Sequence, residues 1–146
     1  MKKDEEETMS TRDIYLTDFD AKRLNDLLLG GQGVNPMDEK HVRELKKEID
    51  RGHIVPSKDI PRDVITMNTK AKVRDLVTGE EFVYTLVYPK DADIREGKIS
   101  VLAPVGTALL GFRAGDEIEW MVQGVPRRLK VKEIVYQPEA AGNFHL

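Results

Sequence analysis

The chain has 146 residues, of which 40% are hydrophobic and 34% charged, and its formal net charge is −3. That balance excludes a disordered polymer and leaves room for one ordinary domain, or for a compact domain with a small appendage. No apolar run approaches the roughly 20 residues of a bilayer span and the N-terminus lacks the apolar stretch of a secretion signal, so a cytoplasmic location with no membrane partner is expected.

The chain contains no cysteine, which removes disulfides, thiolate metal sites and cysteine nucleophiles from consideration. Residues 1–60 hold 11 Lys and Arg against 14 Asp and Glu, whereas residues 61–146 hold 12 of each. A protein whose main ligand is a phosphate backbone usually carries a clear basic excess. A protein partner suits this surface better.

Residues 1–12 include Asp4-Glu5-Glu6-Glu7 and almost nothing apolar, so they cannot offset their own ordering entropy and read as a disordered acidic tail. After Ile14-Tyr15-Leu16 comes Thr17-x-x-Asp20, a variant of the capping box, ahead of Ala21, Leu24, Leu27 and Leu28. This spacing predicts a first helix from about Asp18 to Leu29, stopped by Gly30-Gly31-Gln32-Gly33. Asn35 suits the next N-cap, Pro36 the first helical position and Asp38 the first turn. Val42, Leu45 and Ile49 then recur at helical spacing, predicting a second helix from about Met37 to Asp50. Residues 13–54 thus read as a short antiparallel helical hairpin with its tip at Asn35, Asp38 and Glu39.

Two prolines in Val55–Pro61 suit a linker over 55–62. From there the pattern changes to strands. Val64–Met67, Ala71–Val73, Phe82–Tyr88, Ile99–Ala103, Ile118–Val122 and Leu129–Tyr136 are β-branched, aromatic or alternating. Phe82–Tyr88 is apolar on both faces, which predicts a central strand. Trp120 alternates with Ile118 and Val122 and is expected in the core. Between strands, Pro104 and Gly111 bracket a helix of about two turns. The whole is α+β: a helical hairpin, then a mainly antiparallel sheet carrying one short helix over 63–146.

The run Ala103-Pro104-Val105-Gly106-Thr107-Ala108-Leu109-Leu110-Gly111, followed by Gly115-Asp116, resembles the signature of the C-terminal domain of Gre-type transcription elongation factors. That family usually has Ser where Ala103 stands. Asp63–Asn68, Thr85–Pro89 and Tyr136–Gly142 resemble more closely the short-hairpin branch named for regulation of nucleoside diphosphate kinase. The resemblance implies an FKBP-like C-terminal domain that grips the rim of the RNA polymerase secondary channel, and a hairpin that points into the channel. It implies a non-catalytic regulator of elongation that competes with transcript cleavage factors. RNA polymerase is the expected partner, a direct or indirect link to nucleoside diphosphate kinase is open, and nucleic-acid contact is expected only within the polymerase complex.

On that basis Ala103, Pro104, Val105, Gly106 and Asp116 are candidate partner-binding residues. Pro104, Val105 and Gly106 are expected at an exposed helix start, where a fold role and a partner role are both open. In full-length cleavage factors acidic residues at the hairpin tip help hold a catalytic magnesium ion. Asp38 and Glu39 could in principle act so, since a hard cation prefers carboxylate oxygen, but acids in a first helical turn also cap free amides. No catalytic residue, metal site or cofactor is expected, and His41, His53 and His145 show no metal-ligand spacing. Two other functions stay in view: a direct protein regulator of nucleoside diphosphate kinase, and a prolyl isomerase suggested by fold alone. Residues 61–146 are expected to fold by themselves.

Overall fold

Local signals set the N-terminal elements. In a computed structural model that describes residues 14–30, 39–122 and 124–146, the tail 1–12 and the tip residues Asn35 and Asp38 lie outside the described residues. Strand β1 (Tyr15–Thr17) runs directly into α1 (Asp18–Gly30). Thr17 Oγ1 accepts the Asp20 amide at 2.9 Å, closing one of the open donors at the helix start as the capping pattern predicts. Helix α2 (Glu39–Arg51) returns the chain to β2 (His53–Val55). Strands β1 and β2 pair in parallel, Tyr15 opposite His53 and Thr17 opposite Val55. Each helix has 13 described residues, about 20 Å at 1.5 Å per residue.

Five strands form the second layer: β3 (Lys70–Asp75), β4 (Glu81–Val87), β5 (Lys98–Ser100), β6 (Glu117–Val122) and β7 (Val125–Tyr136), in the order β5-β4-β3-β7-β6. Only β4–β5 is parallel; β3–β4, β3–β7 and β6–β7 are antiparallel. Helix α3 (Pro104–Leu109) joins β5 to the turn before β6. On β3, Ala71 and Val73 face the core while Lys70 and Arg74 face solvent, the alternation expected of a half-buried strand.

Two sequence expectations need correction. Strand β3 is central, not the Phe82–Tyr88 segment: β4 is covered on its outer side only by the three residues of β5, and Val83 is exposed. Nor is Val64–Met67 a ladder strand. Val64 makes one antiparallel bridge to Arg113, with the Ile65 amide donating to the Phe112 carbonyl, but the pairing stops there because the Met67 amide turns to the Asp20 carboxylate. All four of its residues are nevertheless buried. Trp120 lies on β6, and its side chain is outside the described set.

One buried cluster joins the layers, with Ile14, Leu16, Leu24, Leu45 and Ile49 from the N-terminal unit packed with Ile65, Met67, Leu110 and Phe112. Gly111 makes this approach possible. Its φ is +82° and a Cβ there would stand 2.7 Å from Ile14 Cβ, so a side chain is excluded on both counts. The Tyr15 amide donates to the Gly111 carbonyl at 3.2 Å across the same contact. Residues 61–146 taken alone would lose the five N-terminal side chains of this cluster that pack with Ile65, Met67, Leu110 and Phe112.

Asp75 organises the β3–β4 turn. Its Oδ1 accepts the Val77 and Thr78 amides at 2.8 and 3.1 Å, and its Oδ2 accepts from Arg127 at 2.8 Å. The Thr78 amide first, then Arg127, hold the carboxyl below its ordinary range. A depressed carboxyl contributes stability that is present above its unfolded value and lost as pH falls through the folded one. Asp75→Ala is expected to destabilise by about 1–3 kcal/mol in urea unfolding at neutral pH, with the deficit shrinking in acid. A deficit independent of pH would contradict this account.

Candidate docking surface and helical joint

The start of α3 is built from backbone constraints. Ala103 holds the N-cap position with extended backbone and no side-chain cap, and its carbonyl accepts the Thr107 amide at 2.9 Å. Pro104 follows at the first helical position, where its missing amide removes nothing. Pro104 is exposed, whereas Ala103 and Val105 are half-buried and Val105 packs against the core. Gly106 corrects the sequence reading: it is buried, and a Cβ would stand 2.0 Å from the Ser100 carbonyl oxygen. It permits close packing of α3 on β5.

Asp116 is half-buried and shapes the turn into β6. Its Oδ2 accepts the Arg113 amide at 2.9 Å, and its carbonyl accepts the Val131 amide at 2.9 Å. Arg113 reaches back to Asp63, with Nη2 2.9 Å from Oδ1. Of the five residues singled out for partner binding, Pro104 alone presents an exposed side chain; Ala103 and Val105 contribute edges. Glu39 opens α2, with its side chain outside the described set. At the same end of the hairpin, Leu29 is 86% exposed. The basic run on β7 is partly spent on neighbours, Arg127 on Asp75 and Arg128 on Glu117.

A polar joint between α1 and the sheet unit was hidden from the sequence. The Asp20 carboxylate does not complete a capping box. Its Oδ2 accepts the Met67 amide at 2.9 Å and its Oδ1 accepts from Arg23 at 2.6 Å, with Asp20 only 1% exposed. The Arg23 guanidinium lies 3.9 Å from the Phe19 ring centroid and 5.1 Å from that of Tyr88, and donates to the Leu146 carbonyl at 2.6 Å. Thr66 Oγ1 donates to Glu139 at 2.7 Å nearby. Burial raises the carboxyls of Asp20 and Glu139, opposed at Asp20 by the Met67 amide and Arg23 and at Glu139 chiefly by Thr66. An acid three residues past a Thr was the available signal, and its satisfied reading as a cap concealed it.

Among the described residues no group of His, Asp and Glu could hold a metal ion, and no helix is long and apolar enough to cross a membrane.

Residues 60–136 match the family described as transcription elongation factor, GreA/GreB, C-term, and residues 12–55 match the one described as Rnk N-terminus. The chain is 42% identical over 139 residues to the regulator of nucleoside diphosphate kinase of Escherichia coli K12, covering 94% of this chain and 100% of that protein. It is 36% identical over 97 residues to transcription elongation factor GreA of Syntrophotalea carbinolica, which covers 66% of this chain and 60% of that protein. Among solved structures, the transcription elongation factor GreA/GreB of Nitrosomonas europaea superposes with a TM-score of 0.67 at 41% identity, covering 86% of this chain and 99% of that one.

Proposed function

The chain belongs to the GreA/GreB transcription elongation factor family, and on that premise we propose that it is a non-catalytic regulator that docks on RNA polymerase at the secondary channel. It works in the cytoplasm. The sheet unit, with an FKBP-like arrangement, grips the channel rim through the α3 start, and the hairpin enters the channel. Occupying that entrance modulates elongation and competes with transcript cleavage factors. Nucleic acid is touched only inside this complex.

The observation that carries the reading is the combination in one chain of the GreA/GreB C-terminal match with a hairpin whose two helices start at Asp18 and end at Arg51, which leaves each arm short. A carboxylate must come within about 2.1 Å of magnesium to ligate it, so an arm short by even one turn, about 5.4 Å, loses direct coordination. The relation to the regulator of nucleoside diphosphate kinase supports a second reading, direct binding to that kinase.

Co-purification with core polymerase, with a cleavage factor added as competitor, separates the two readings. The exposed Pro104 gives a clean probe, whereas Val105→Asp would disturb the core contact of that side chain. Pro104→Glu places an acid favourably at a helix start, so stability should stay within about 0.5 kcal/mol of wild type while polymerase binding weakens. Unchanged affinity in the folded variant would move the docking surface elsewhere.

A further inference from the structure

We infer that Asp20 and Arg23 are positioning residues: the joint they form with Met67, Phe19 and Tyr88 sets the direction of the hairpin relative to the sheet unit. This rests on the docking role proposed above and adds to it the residues on which hairpin entry depends.

A hairpin that must enter a channel while a second unit grips the rim needs a defined angle between the two. Apolar contacts such as Leu24 and Ile49 against the core favour burial but are non-directional. Direction requires bonds with geometry. The Asp20 carboxylate supplies two of them, one to a backbone amide 47 positions away and one to Arg23 on the next turn of its own helix. Arg23 carries the constraint further, since its guanidinium is held against both Phe19 of α1 and Tyr88 at the end of β4. A planar guanidinium between a carboxylate and ring faces tolerates little rotation. Arg23 also reaches the Leu146 carbonyl, to which Asn68 Nδ2 donates at 2.9 Å, so the C-terminal segment is tied into the same joint.

The joint is also incompletely satisfied. Arg23 Nε and the Tyr88 hydroxyl are buried with no hydrogen-bond partner among the described residues. Burying unpaired polar atoms offsets part of what the bonds contribute. The balance is that of a latch whose loss redirects the hairpin without dissolving the shared apolar core.

The test uses the full chain. With no native cysteine, Leu29→Cys and Val77→Cys, both at exposed positions, accept one spin label each, and pulsed dipolar spectroscopy reads the distance between hairpin and sheet unit. The expected result is one narrow distribution for the otherwise native chain. In Asp20→Ala it broadens or shifts, the native distance losing roughly ten-fold or more in population, as deletion of hydrogen bonds to a charged group implies. Asp20→Asn keeps an acceptor for the Met67 amide and should fall between the two, a graded rescue that simple destabilisation would not produce. Competition with a cleavage factor should fall in the same order, while polymerase binding through the sheet unit changes little. Should Asp20→Ala fail to fold, Arg23→Gln makes the same measurement. An unchanged distribution in either folded variant overturns the inference, as does a redirected hairpin that competes as well as wild type. Failure of the wild-type chain to bind polymerase would instead defeat the docking role, and the distance measurement would still decide whether the joint sets the angle.

Discussion

Residues 61–146 expressed alone should fail to reach a native state, giving broad, poorly dispersed amide resonances and no cooperative unfolding transition. The truncation removes Ile14, Leu16, Leu24, Leu45 and Ile49, five large side chains that are at most 4% exposed. At about 1.5–3 kcal/mol for each buried aliphatic side chain, their removal rivals the whole net stability of about 5–15 kcal/mol that a domain has. It also uncovers Phe112, Leu110 and Met67, which would then face water. The Met67 amide loses its buried acceptor on Asp20 as well. A truncated chain with a sharp transition near that of the whole protein would show that the two units are energetically separate.

Gly106→Ala should destabilise by about 3–4 kcal/mol, since its Cβ would make the tightest approach of any described glycine. The added Cβ meets the Ser100 carbonyl oxygen at 2.0 Å, its carbon at 2.9 Å and Val101 Cα at 3.1 Å. All three are backbone atoms, so no side-chain rotation relieves the clash and α3 must lift from β5. Lifting α3 disturbs Ala108 and Leu109, both in the buried cluster. It also strains the 2.6 Å bond from Thr107 Oγ1 to the Val101 carbonyl. Chemical denaturation reads this directly. A folded Gly106→Ala with native stability but weakened polymerase binding would assign Gly106 to the partner surface instead of to the packing of α3.

Most of the architecture was legible because it is carried by strong local patterns. Thr17 as a cap, the apolar spacing of Leu24, Leu45 and Ile49, and the alternation of Ala71 and Val73 each place an element where the structure has it. The parallel β1–β2 pair was not legible, because three residues per strand are too few for a period to emerge. Val64–Met67 misled for a related reason: its β-branched, apolar composition reports burial, which is real, and not ladder pairing, which depends on where its amides find acceptors. At the α3 start, sequence could locate a Pro-led helix but not the 2.0 Å approach that makes Gly106 structural. Asp20 was misread because a local explanation sufficed, while its true partners lie 3 and 47 positions away.

A transcript-cleavage assay on a backtracked polymerase complex decides whether this chain occupies the secondary channel without catalysing cleavage there. Added alone, the protein should leave the transcript at its spontaneous cleavage rate. Added before a cleavage factor of the Gre type, it should slow that factor in proportion to its own occupancy. Asp38→Ala with Glu39→Ala should keep this competition nearly intact, with a loss of about 1 kcal/mol in stability from a weakened helix start. Robust cleavage by the protein itself, abolished in that double variant, would contradict the account and make the tip carboxylates catalytic.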